Sequence, residues 1–259
     1  MLVDKTRLAI LLLLFAALLM ACGTPSHQLS PENARRAAIA NAELGTGYLA
    51  QGNLELSKAK FEKALGQDSN LPQAHAGYAL LMSRLGQNKA ADKHFKLALR
   101  GDPFNSDTLN NYGTYLCGQN RIEEAEKQFL AALRDPLYRT PEYAYTNAGR
   151  CSMKVPDYDR AEGYYGKALQ GNPRFTDALY EMAVLYDKKG NHRLAWSYMQ
   201  KFEQHGGANV HTATSLWLAI QLARHTGDRN AEASYSLLLR NRFPDSPEAS
   251  QLRSSRQSK

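Results

Sequence analysis

Apolar side chains in this chain recur at helical spacing in short runs, and the runs come in pairs. Between Pro72 and Pro103, Tyr78 and Met82 share one face of a first segment, and Phe95 and Leu99 share one face of a second. Ala79 and Ala91 are small residues that let the two backbones approach closely. Gly86 predicts the end of the first helix, and Pro103 cannot continue the second. The period-two alternation of Val, Ile and Thr that would predict strands is scarce, so the chain reads as all-α.

The pair repeats. Ser57, Ala91, Ala125, Ala161, Ala195 and Ala231 form a column of small second-helix residues separated by 34, 34, 36, 34 and 36 positions. Twelve positions earlier stand Gly45, Ala79, Gly113, Gly149, Ala183 and Ala219, and four positions later stand Phe61, Phe95, Phe129, Tyr165, Met199 and Tyr235. This pattern resembles the tetratricopeptide repeat, with Pro103, Pro136, Pro173 and Pro244 at or beside unit ends. Six units are expected over residues 34–252. Because one unit cannot bury both faces of its helix pair, neighbours must stack, and the resemblance implies a right-handed superhelix (α-solenoid) with first helices lining its concave face. The family's concave positions fall on Ile39, Ala42, Thr46 and Leu49 in the first unit and on Gln73, Ala76 and Leu80 in the second. These predict an apolar partner-binding groove. The alternative is that Ile39 and Leu49 pack beneath the preceding segment as a cap. Further along, Arg150, Lys154, Lys188 and Arg224 predict a polar, basic stretch of the same face.

The N-terminus reads as an address. Lys5 and Arg7 precede an apolar run over residues 8–21, shorter than the ~20 residues that a membrane span needs and suited to a signal-peptide core. Leu19-Met20-Ala21-Cys22-Gly23 resembles the bacterial lipobox. That resemblance implies removal of residues 1–21 and acyl chains on Cys22, the one covalent lipid expected; no other cofactor is. The absence of Asp directly after Cys22 favours sorting to the outer membrane. The alternative is an ordinary signal peptide with a chance cysteine. Residues 22–33, with Pro25 and Pro31, read as a tether. At the other end, one polar turn is expected over residues 247–252 and a disordered tail over 253–259.

Three stretches exceed plain repeat consensus: Asn110-Asn111-Tyr112-Gly113-Thr114-Tyr115-Leu116-Cys117, Asp135-Pro136-Leu137-Tyr138-Arg139-Thr140-Pro141, and Asn147-Ala148-Gly149-Arg150-Cys151-Ser152. In this order, with the lipobox and the six units, they resemble the type IV pilus biogenesis lipoproteins, the PilF/PilW group of secretin pilotins. The resemblance implies an outer-membrane lipoprotein facing the periplasm, delivered by the lipoprotein sorting machinery. It implies binding of secretin subunits and promotion of their multimerisation. The alternative is a general scaffold that recruits other envelope proteins, such as cell-wall hydrolases or β-barrel assembly components. Cys117 and Cys151 occupy first helices of the third and fourth units, where stacking brings them side by side, and an exported chain meets an oxidising compartment. A Cys117–Cys151 disulfide is expected, with two buried free thiols as the alternative.

Charge adds little. The formal net charge of +7 speaks to a solvated surface or an acidic partner rather than to fold, and export removes nucleic acid as a partner. No phosphate-binding glycine loop, zinc helix or nucleophile elbow is present, and the seven histidines are scattered along the chain. No catalytic residue, metal site or small-molecule substrate is expected. Asn111 and Asn147 are expected to bond neighbouring backbone.

Overall fold

The computed structural model describes residues 30–207 and 209–257, and every regular element among them is a helix. The six units are six helix pairs: α1 (Pro31–Ala50) with α2 (Leu54–Gln67), α3 (Pro72–Arg84) with α4 (Asn88–Gly101), α5 (Ser106–Gly118) with α6 (Ile122–Ala132), α7 (Pro141–Ser152) with α8 (Tyr158–Gly171), α9 (Thr176–Lys188) with α10 (His192–Gly206), and α11 (Ala213–Thr226) with α12 (Arg229–Arg242). A last helix, α13 (Pro247–Gln257), follows. Each first helix packs on its own second helix, on the second helix of the preceding unit and on neighbouring first helices, whereas the backbones of successive second helices stay apart and meet only through long side chains. The stack is an α-solenoid, tighter on its first-helix side, and that side is concave. The expected signal peptide and the expected lipid site at Cys22 lie outside the described residues.

The three columns become one packing rule. Phe61, Phe95, Phe129, Tyr165 and Met199 are fully buried, and Tyr235 nearly so. A Cβ placed on Gly45 or Gly77 would lie 2.9 or 2.4 Å from the ring of Phe61, one on Gly113 would lie 2.7 Å from Phe129, and one on Gly149 would lie 2.4 Å from Tyr165. Phe61, Phe129 and Tyr165 therefore occupy the space that a missing side chain leaves. Ser57, which departs from the alanine column, is buried and donates its hydroxyl to the Gly45 carbonyl at 2.8 Å, so its polarity is satisfied. Gly86, with φ +70°, ends α3 as expected.

Every boundary between units also carries a phenol-to-carboxylate hydrogen bond. Tyr78 donates to Glu62 at 3.1 Å, Tyr112 to Asp92 at 2.9 Å, Tyr164 to Glu126 at 2.7 Å, Tyr186 to Glu162 at 2.5 Å, and Tyr235 to Glu203. Burial, then the neighbouring carboxylate, pushes the Tyr78 and Tyr186 phenols up to about 12. These phenols stay protonated, and because an ionised carboxylate can only accept, each phenol donates.

Both ends depart from expectation. The tether is expected to reach residue 33, but α1 begins at Pro31, and the Ser30 hydroxyl accepts from the Asn33 amide. The polar turn and disordered tail expected from residue 247 are instead α13, helical to Gln257, with Ser246 accepting from the Ala249 amide. Both starts read Ser-Pro-Glu. Proline breaks a helix interior but suits its first position, and the preceding serine caps the free amides. Ala249 and Leu252 are fully buried as α13 packs on α11 and α12, covering the apolar end of the last unit.

Glycine substitution separates ring contact from helix propensity. Gly→Ala inside an open helix stabilises by about 0.4–1 kcal/mol, and at Gly163, on the same helix as Tyr165, an added methyl would meet nothing within 4 Å. Gly163→Ala is expected to raise the urea midpoint, while Gly149→Ala lowers it by the roughly 1–3 kcal/mol that overpacking costs; two shifts of the same sign would refute the packing rule.

Candidate partner-binding groove

The concave face opens on the first helix. Ile39 and Thr46 on α1 are exposed, Ala42 between them is buried, and together with Gln73 on α3 they line a depression of about 350 Å³. Thr46 and Gln73 also belong to the next depression, of about 270 Å³, whose walls include Ala76 and Leu80. Six of the seven expected groove residues thus line two adjoining hollows. Leu49 does not. It is 5% exposed and sits in the core of the first units, and only its backbone carbonyl is engaged, by Arg84 Nη1 at 2.7 Å. Its position lies where α1 meets α3, so its side chain supports the groove from within.

Two of the four cations of the expected basic stretch are paired with carboxylates. Arg150 donates to Glu181 at 2.8 Å, to Asp177 at 3.3 Å and to Asn147 at 3.4 Å. Arg224 donates to Glu232 at 2.7 Å, and Lys154 donates to the Cys117 carbonyl at 2.8 Å. Lys188 is exposed. The charge next to the apolar hollows is of the opposite sign: Asp102 and Asp107 line the second depression. They stand five positions apart around the loop between the second and third units, and stacking places them beside Thr46, Gln73 and Leu80. Asn147 bonds a side chain, Asn110 Oδ1 at 3.0 Å, rather than backbone, and Asn111 is half-buried along the second hollow.

Behind the groove, His75 turns inward from α3 and its Nδ1 lies 2.9 Å from His94 Nδ1. The Ser69 carbonyl, 3.0 Å from His75 Nε2, can only accept, so His75 donates there and its Nδ1 accepts from His94 when both are neutral. Burial, then His75 and Lys93, pushes His94 down to about 4, and burial lowers His75 as well. Cys117 and Cys151, near the ends of α5 and α7, are joined, with Cα atoms 5.7 Å apart.

One cluster escaped sequence reasoning and has the outline of a hydrolytic triad. Ser215 Oγ lies 3.4 Å from His211 Nδ1, and His211 Nε2 lies 3.5 Å from Glu203. Ser215 is 2% exposed, donates to the Thr212 carbonyl and accepts from the Thr212 amide, forming the capping box of α11. Its oxygen is committed to a helix end and shielded from any substrate. Among the described residues no group of three or more His, Cys, Asp and Glu could hold a metal ion, and no helix is long and apolar enough to cross a membrane.

No family model matches the chain. It is 37% identical over 243 residues to the type IV pilus assembly protein PilF of Pseudomonas aeruginosa, an alignment covering 93% of this chain and 95% of that protein. The chain belongs to the PilF family. The solved structure of Pseudomonas aeruginosa PilF superposes with a TM-score of 0.74 at 35% identity, covering 86% of this chain and 99% of that one. PilW, described as a widely conserved type IV pilus biogenesis factor, superposes with a TM-score of 0.75 at 30% identity, covering 83% and 97%. This PilF-family chain is a tetratricopeptide-repeat protein of type IV pilus biogenesis.

Two outcomes test the chemistry around the groove. The His75 and His94 pair takes up protons less readily than free imidazoles near 6.5, so the unfolded chain binds more protons as pH falls from about 6.5 towards 4, and stability drops in that window. His94→Phe is expected to flatten this part of the melting-temperature profile; an unchanged slope would show that the pair does not carry it. Replacing both Cys117 and Cys151 by Ala is expected to cost roughly 3–4 kcal/mol on the chain-entropy estimate for such a loop, read by guanidinium denaturation of the oxidised and double-variant proteins.

Proposed function

We propose that this protein is an outer-membrane lipoprotein pilotin that binds secretin subunits in the periplasm and promotes their multimerisation for type IV pilus biogenesis. The observation that carries the reading is PilF-family membership along 93% of the chain. The groove of the first two units supports it, since two adjoining hollows with Ile39, Ala76 and Leu80 on their walls suit apolar anchors of a bound segment. In this reading Cys22 carries the acyl chains after removal of residues 1–21, and at ~0.8 kcal/mol per buried methylene several chains hold the protein permanently at the bilayer. The sorting machinery places it at the outer membrane, and its work there is binding rather than turnover.

Deleting the gene is expected to remove heat-stable secretin multimers from outer membranes while monomers persist; unchanged multimers would refute the reading. Cys22→Ser is expected to mislocalise the protein while leaving secretin affinity intact. Thr46→Arg combined with Gln73→Arg changes only solvent-facing groove positions and is expected to weaken binding of purified secretin at least tenfold at an unaltered melting temperature. Leu49→Asp is expected to unfold the first units, because it buries an unpaired charge.

A further inference from the structure

The two-residue insertion at residues 136–141 builds something that the repeat does not need. Leu137, 83% exposed, and Phe104, 84% exposed, stand on consecutive loops between units and line one cavity of about 670 Å³. Each follows an Asp-Pro pair, and the same position after the unit-closing proline holds Arg174 and Asp245 in later loops. Large apolar tips therefore occur on two neighbouring loops, side by side, and nowhere else in that series.

The cavity they flank is acidic in a chain whose net charge is +7: Asp102, Asp107 and Asp135 line it, against Arg139. Asp135 is occupied in shaping the loop, accepting from the Leu137 amide at 2.8 Å and from Ser106 at 3.3 Å. Asp102 and Asp107 are shared with the second groove hollow, so the concave face continues without a break to the edge between Phe104 and Leu137. A two-fold contact between copies of this chain would set these carboxylates against each other, whereas a cationic segment is attracted.

We propose that a bound partner segment leaves the concave face over this edge, setting a Lys or Arg against Asp102 and Asp107 and a large apolar side chain between Phe104 and Leu137. This deepens the reading of the concave face as a peptide groove but does not depend on the partner being a secretin. The test is selection of random displayed dodecapeptides on the detergent-purified full chain, followed by fluorescence anisotropy of the enriched peptides. Enriched peptides are expected to pair a large apolar residue with Lys or Arg within a few positions. Phe104→Ser with Leu137→Ser is expected to lower their affinity at least tenfold at an unchanged melting temperature, since both side chains lie in solvent. Asp102→Asn with Asp107→Asn is expected to lower it and flatten its salt dependence.

Failure to enrich such peptides, or affinity indifferent to the Phe104 and Leu137 variant, overturns the proposal. So does a concentration-dependent dimer in sedimentation that the same variant abolishes, which would assign the patch to self-association. Secretin multimers that persist in the deletion strain, with the peptide result intact, would remove the secretin and leave the docking edge standing.

Discussion

An aromatic ring seated where a side chain is missing sets the spacing of this solenoid. Phe61 lies against Gly45 of its own unit and Gly77 of the next, so one ring fixes both the crossing within a hairpin and the step to its neighbour. Dispersion contacts at such distances are weak singly and large together, and a core at crystal-like density transmits any displacement. The groove inherits its width from that seating, because Gln73, Ala76 and Leu80 ride on the helix that Gly77 brings close to α2.

Polar chemistry then ties the units where packing alone would leave them free to slide. The carboxylates of Glu62, Asp92, Glu126, Glu162 and Glu203 each receive a phenol across a unit boundary, and Arg121, Arg160 and Lys189 add ion pairs to three of them. Charge-assisted bonds of this kind are directional, so they fix register as well as adding stability. The surface that this network leaves open includes the hollows of the first two units and the edge beyond them.

The fold was legible because the three columns of small, small and large residues recur in all six units. Individual sites were less so, for reasons that differ. Pro31 and Pro247 look like breakers until the preceding serine is read as a cap. Leu49 occupies a groove position by count, yet its side chain points into the junction of α1 and α3. Arg150 and Arg224 look like free charge because Asp177, Glu181 and Glu232 lie elsewhere in the chain. The acidic edge around Asp102, Asp107 and Asp135 draws on two separate loops, and no short window along the sequence contains it. The Pro-bounded Tyr138 segment was visible as an oddity, but only the structure sets Leu137 beside Phe104.

The bridge between Cys117 and Cys151 joins inner helices of the third and fourth units, on the side that must part if the array straightens. A stack of hairpins behaves mechanically as springs in series, each boundary contributing its own compliance. Pinning the central boundary on its inner edge removes bending there and leaves it to the boundaries on either side. A load applied to the first two units is therefore taken up as flexure ahead of the clasp, before it reaches the last three units.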